Sequence, residues 1–197
     1  SDYLADDLTD RWVTIEAKIE TDYFVSLYVD GVFFAKSMEP LPEDGRSGHL
    51  LIGGRSSGNA GKIYADDVTV EKDRDFREDF ADGLAGYTTY GSPQSKVVEA
   101  FGRNSVFDNN GDANHDSGIF SDEVVSLAPG TTLSVDAYME VTDPTGCWVG
   151  LRVGITDGVQ KSNDQYGVSE LFEFVYIGDA CWASPSNQHR HAYLLAG

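Results

Sequence analysis

The chain has 197 residues, and 14 Lys and Arg face 33 Asp and Glu, a formal net charge of −19. Nucleic-acid binding draws on clustered positive charge, so this balance argues against a phosphate-reading surface and against anionic membranes. It suits cation binding and uncharged carbohydrate partners. Hydrophobic residues make up 41% of the chain, enough for a sizeable core. No window approaches the ~20 apolar residues of a membrane span, so no membrane insertion is expected.

In chain order, Val13, Ile15, Ala17 and Ile19 alternate with Thr14, Glu16 and Lys18, one apolar face of a strand. Tyr23 to Val29 and Val32 to Phe34 flank Asp30-Gly31, whose residue types suit the positive φ of a tight hairpin turn. Further strands are expected over His49–Ile52, Lys62–Glu71 and Phe76–Phe80. Beyond Gly83 they are expected near Lys96–Phe101, Ser105–Phe107, Gly118–Val124, Thr131–Val141, Cys147–Thr156, Tyr166–Ile177 and Ala192–Leu195. Turn clusters such as Asn109-Asn110-Gly111-Asp112, Asp143-Pro144-Thr145-Gly146 and Asp157-Gly158 separate them. No segment reads as a long amphipathic helix. The pattern predicts an all-β chain folded as a two-sheet antiparallel sandwich.

The succession Arg11-Trp12-Val13, Leu27-Tyr28-Val29-Asp30-Gly31, Leu51-Ile52-Gly53-Gly54-Arg55 and Tyr64-Ala65-Asp66-Asp67-Val68 resembles the second half of a laminin-G-like, concanavalin-A-like jelly-roll domain. Phe76-Arg77-Glu78-Asp79-Phe80, Asn110-Gly111-Asp112, Ser117-Gly118 and Leu133–Tyr138 resemble its first half. The resemblance thus sets residues 1–72 as an ending and residues 73–197 as a beginning. Three organisations would give that order: a circular permutation joined through Lys72-Asp73-Arg74-Asp75, one frame of a tandem array, or halves completed by neighbouring copies through strand exchange. The chain opens Ser1-Asp2-Tyr3 in mid-pattern, which favours an array or polymer.

Alternation puts Asp66 on the face of Tyr64, Val68 and Val70, and Glu78 on the face of Phe76 and Phe80. Buried carboxylates need a cation or several N–H donors. In the domains that the chain resembles, the first and last strands pair and a structural Ca2+ often sits where they meet. The resemblance therefore implies a calcium ion held by Asp66 and Glu78, with Asp67 and Asp79 beside them. The other reading leaves these carboxylates solvated or bonded to backbone N–H groups.

Asp112, Asn114 and Asp116 have the spacing of an EF-hand loop, but Ser117 stands where glycine is required, so an ordinary loop is expected. His189 and His191 would share a strand face without a neighbouring third ligand. Cys147 and Cys181 form one disulfide or stay as buried thiols; two ligands are too few for zinc. Trp182, beside a Pro/Ser/Asn loop, and Tyr193 are the candidate carbohydrate-stacking rings. No catalytic residues are assigned. Glu170 and Glu173 lie three apart, which on a regular strand sets them on opposite faces and denies the carboxylate pair of a glycosidase. The expectation is a non-enzymatic structural and adhesive module, extracellular or at the cell surface. It would be a repeat or subunit of a filament or tandem array, with copies of itself as partners and calcium as a structural ion. The alternative is a monomeric carbohydrate-binding, lectin-like module with glycans as partners.

Overall fold

Period-two alternation sorts the side chains of each strand into one row facing a partner sheet and one facing outward. The computed structural model describes residues 10–56, 61–72, 76–91, 95–108, 116–141, 148–160, 168–179 and 190–195. The strands are β1 (Trp12–Ile19), β2 (Val25–Val29), β3 (Val32–Lys36), β4 (Ser47–Ser56), β5 (Gly61–Glu71), β6 (Phe76–Glu78) and β7 (Tyr87–Gly91). They continue with β8 (Lys96–Ala100), β9 (Arg103–Asp108), β10 (Asp116–Ser126), β11 (Thr132–Val141), β12 (Trp148–Gln160), β13 (Val168–Asp179) and β14 (Arg190–Leu195).

The protein is an all-β sandwich of two antiparallel sheets. The larger runs β3-β2-β1-β11-β5-β9-β8, with β6 also paired to β5, and the smaller runs β14-β13-β12-β4-β10-β7. Val13, Ile15, Ala17 and Ile19 of β1 meet Leu50, Ile52, Leu151, Val153, Phe172 and Phe174 of the smaller sheet in one core. Strands from residues 1–72 and 73–197 interleave in both sheets: β11 lies between β1 and β5, and β4 between β12 and β10. The two segments therefore build one sandwich within one chain. β5 and β6 pair as antiparallel neighbours, Val68 opposite Glu78 and Val70 opposite Phe76.

The structure extends some expected strands and adds one. Asp157-Gly158, expected as a turn, lies within β12, where the pairing with β13 shifts between Thr156 and Gln160. β7 was not anticipated; its Tyr87-Thr88-Thr89-Tyr90 run does not alternate, and it is short and bounded by glycines. On the outer face of the smaller sheet the Tyr90 ring crosses two glycines. A Cβ at Gly53 or Gly118 would run into its hydroxyl, so these strand positions admit no side chain.

Candidate functional site

The expected metal centre falls at a bulge in β5. β5 follows β11 through Tyr64↔Tyr138, Ala65↔Ala137 and Asp66↔Asp136, then slips before Thr69↔Ser134. Asp67 takes the extra place, with φ at 46°. A bulge adds one residue to one strand and so reverses the alternation beyond it. Asp66 accordingly stays with Tyr64 on the outer face, whereas Val68 and Val70 turn into the core. This corrects the face assigned to Asp66 from simple alternation.

The register sets Asp66 and Asp136 directly opposite one another, an arrangement that is destabilising for like charges. Arg103, the first residue of β9, answers it. One guanidinium nitrogen, Nη1, donates to Asp66 Oδ2 at 2.9 Å and to Asp67 Oδ2 at 3.3 Å. The other, Nη2, donates to Asp136 Oδ2 at 2.6 Å. The guanidinium lies 3.9 Å from the centre of the Trp12 ring. The remaining oxygens are also engaged: Asp66 Oδ1 accepts the Asp67 N–H at 2.8 Å, Asp136 Oδ1 the Thr14 hydroxyl at 2.7 Å, and Asp67 Oδ1 an Arg77 N–H at 3.4 Å.

Glu78 and Asp79 do not join this cluster through a shared centre. Glu78 Oε1 accepts the Phe80 N–H and Asp79 Oδ1 the Ala81 N–H, which fixes the turn after β6. Burial and the Glu78 carboxylate push the Tyr87 hydroxyl well above its ordinary pKa. Among the described residues, no group of three or more His, Cys, Asp and Glu is placed to hold a metal ion. Calcium needs about 6–8 oxygens turned to one point. Here Asp66 and Asp67 turn to Arg103 while Glu78 and Asp79 turn to backbone, so the four residues as arranged do not fit a calcium ion.

Burial raises the pKa of Asp66 although Arg103 and the Asp67 N–H pull it down. A carboxyl with a higher pKa folded than unfolded binds its proton more tightly when folded. Its contribution favours folding below the unfolded value and is lost as the pH rises through the folded one. Asp66→Asn removes this titration. In urea unfolding, the wild type is expected to gain stability relative to the variant as the pH falls from neutral toward the ordinary carboxylate value of 3.8. A difference that stays constant, or moves the other way, would show that burial does not govern Asp66.

The outer aromatic rings belong to the same cluster. Phe101 and Gly102 form the two-residue turn between β8 and β9, both with positive φ, 50° and 82°. Positive φ is strained for a bulky residue. Phe101 is held there by stacking on Tyr138, with centroids 3.7 Å apart and planes 9° apart, and its carbonyl accepts the Trp12 indole N–H at 3.3 Å. Tyr64 meets Phe101 edge-on at 5.0 Å. Burial first, then the charges of Asp108 and Glu140, push the Tyr64 hydroxyl pKa up.

A second charged pair lies on the outer face of the smaller sheet. Arg152 of β12 donates from Nε to Glu173 Oε2 of β13 at 2.7 Å, and both side chains are 9% exposed. Across the strands, Arg152 stands opposite Gly53 and Glu173 opposite Gly154. A register shift near Leu171 pairs Glu170 with Thr156, while Phe172 pairs with Ile155. Paired positions share a face, so positions 170 and 173 fall on the same face rather than on the opposite faces expected for residues three apart.

Of the other sequence candidates, Tyr193 lies in β14 opposite Val175. Cys147, Cys181, Trp182, Asp112, Asn114 and His189 lie outside the described residues, while Trp148 and Asp179, near the two cysteines in sequence, are register partners. Arg103 and Asp136 were not anticipated. The available signal was Phe101-Gly102 as a two-residue turn between Val97-Val98 and Val106-Phe107. No protein-family model matches the sequence, and no curated protein matches it.

Proposed function

We propose that this chain is a structural and adhesive module of the extracellular space or cell surface, working without catalysis as a repeat or subunit of a filament or tandem array. The observation that carries this reading is the β2–β3 corner at one edge of the larger sheet. Val32 is 70% exposed, Phe33 57% and Met38 95%. Val32 and Phe33 begin β3 and Met38 follows its end, so large apolar groups are exposed along the length of this edge strand, as they are at contact surfaces. Lys36 lies over the Phe24 ring at 4.9 Å, and Lys18, which also pairs with Glu16 at 3.7 Å, lies over Tyr28 at 4.3 Å. In the proposed contact a second copy covers these apolar side chains with a different part of its surface. Such a head-to-tail contact uses different patches on its two sides and extends into an open array.

The β2–β3 pairing shifts between Leu27 and Tyr28. A bulge at an edge discourages the addition of another strand, so side-chain contacts rather than strand exchange are proposed for this corner. The alternative, a lectin-like carbohydrate module, has less support on the larger sheet. Phe101 stacks on Tyr138 and Arg103 covers Trp12, so those ring faces are occupied from within the chain.

Phe33→Asp tests the reading by sedimentation. The wild type is expected to associate reversibly, and the variant to associate about tenfold more weakly or worse, as for loss of an aromatic anchor. Equal association of the two would remove the corner from the contact. A wild type that stays at 21.5 kDa and binds an uncharged glycan would replace this reading with the lectin one.

A further inference from the structure

We infer that Arg103 is the resident cation of the β5 bulge. Its guanidinium, carried on the β8–β9 hairpin, holds the Asp66, Asp67 and Asp136 carboxylates together and clamps the hairpin across the outer face of the larger sheet. It does so at the junction where the resemblance implied calcium.

Three independent features lead here. The first is charge. Two aspartates face each other across paired strands and a third lies in the bulge, so this register needs a cation. Each of the three places one oxygen within 2.6–3.3 Å of the Arg103 fork, and their other oxygens accept from Asp67 N–H, Arg77 and Thr14. A planar fork with several fixed donors matches such a carboxylate group, whereas an ammonium does not.

The second is the attachment of the hairpin. β9 pairs with β5 only at Tyr64↔Asp108 and Ala65↔Phe107 among the described residues. Beyond these two pairs, β6 takes over the same edge of β5 from Val68 onward. The far end of the hairpin therefore lacks backbone pairing to the sheet and depends on its side chains. Arg103, Phe101 and Val106 supply them: Arg103 to the aspartates, Phe101 to Tyr138, and Val106 in a buried cluster with Tyr64 and Tyr138.

The third is strain. Phe101 adopts a left-handed turn conformation that few bulky residues take. It is retained where the surroundings fix it, and the ring stack and the Trp12 indole do so. Trp12 thus holds both turn and cation: its N–H binds the Phe101 carbonyl and its ring carries the guanidinium.

The inference is independent of the proposed assembly and is tested on the full chain. Thermal unfolding of the wild type is expected to give the same Tm in excess EDTA and in excess calcium chloride. Arg103→Ala should lower Tm by roughly 5–10 °C, as for a partly buried ion-pair cluster losing its cation. Hydrogen exchange of amides 96–108 should quicken in the variant by about 100-fold, since the hairpin would open locally while the core stays closed. Arg103→Lys keeps the charge but not the fork and should fall between the two. A wild-type Tm that drops in EDTA would overturn the inference, as would Arg103→Ala with unchanged Tm and unchanged exchange over 96–108. If Arg103→Ala fails to fold, the wild-type comparison and Arg103→Lys decide: Arg103→Lys as stable as the wild type would show that any cation suffices there.

Discussion

Phe107→Ala should lower the unfolding free energy by about 3–5 kcal/mol, among the largest effects of any single truncation in this chain. Phe107 is fully buried. It stands opposite Ala65 in the short β9–β5 pairing and lies 5.9 Å from the Phe80 ring, which itself neighbours Tyr87 at 6.3 Å. Its ring therefore fills the core where β9, the turn after β6 and β7 converge. Truncation loses the transfer energy of the ring and leaves a cavity that three separate elements must move to fill. Urea unfolding at constant slope gives the difference directly. A cost below about 1 kcal/mol would mean that the base of the hairpin packs outside the core, contrary to the burial seen here.

Arg152→Met should cost about 3–5 kcal/mol for a different reason: it withdraws the guanidinium from a carboxylate that remains buried. Arg152 and Glu173 are each 9% exposed and joined at 2.7 Å. Gly53 and Gly154 stand opposite them across the strands. The double variant Arg152→Met/Glu173→Leu should recover most of the loss, because an apolar pair of similar volume carries no desolvation cost. A double-mutant cycle by urea unfolding measures the coupling. If the single and double variants are equally destabilised, Arg152 acts through its packing and not through Glu173.

Much of the fold was legible in the residues. Val13, Ile15, Ala17 and Ile19 sit in the core as their alternation requires, and Asp30-Gly31 forms its hairpin turn with both φ values positive. What was not legible follows largely from bulges. An inserted residue carries no mark of its own, yet it reverses every face beyond it. One bulge moved Asp66 away from the face of Val68 and Val70, and another brought positions 170 and 173 onto a common face. The candidate site was half legible. Asp66 and Asp67 stood out as carboxylates in a strand, but their partners come from sequence-distant elements. Arg103 reaches them from a hairpin turn, and Asp136 from a strand whose register with β5 only the folded sheet defines.

The assembly reading is tested most directly by light scattering on the chain over a wide concentration range, in EDTA and in calcium. The expected result is a mass that rises above 21.5 kDa with concentration, along the same curve in both solutions. A constant 21.5 kDa at every concentration would contradict self-assembly through this chain's own surface, and a rise that appears only in calcium would contradict a contact made by the chain's own side chains alone.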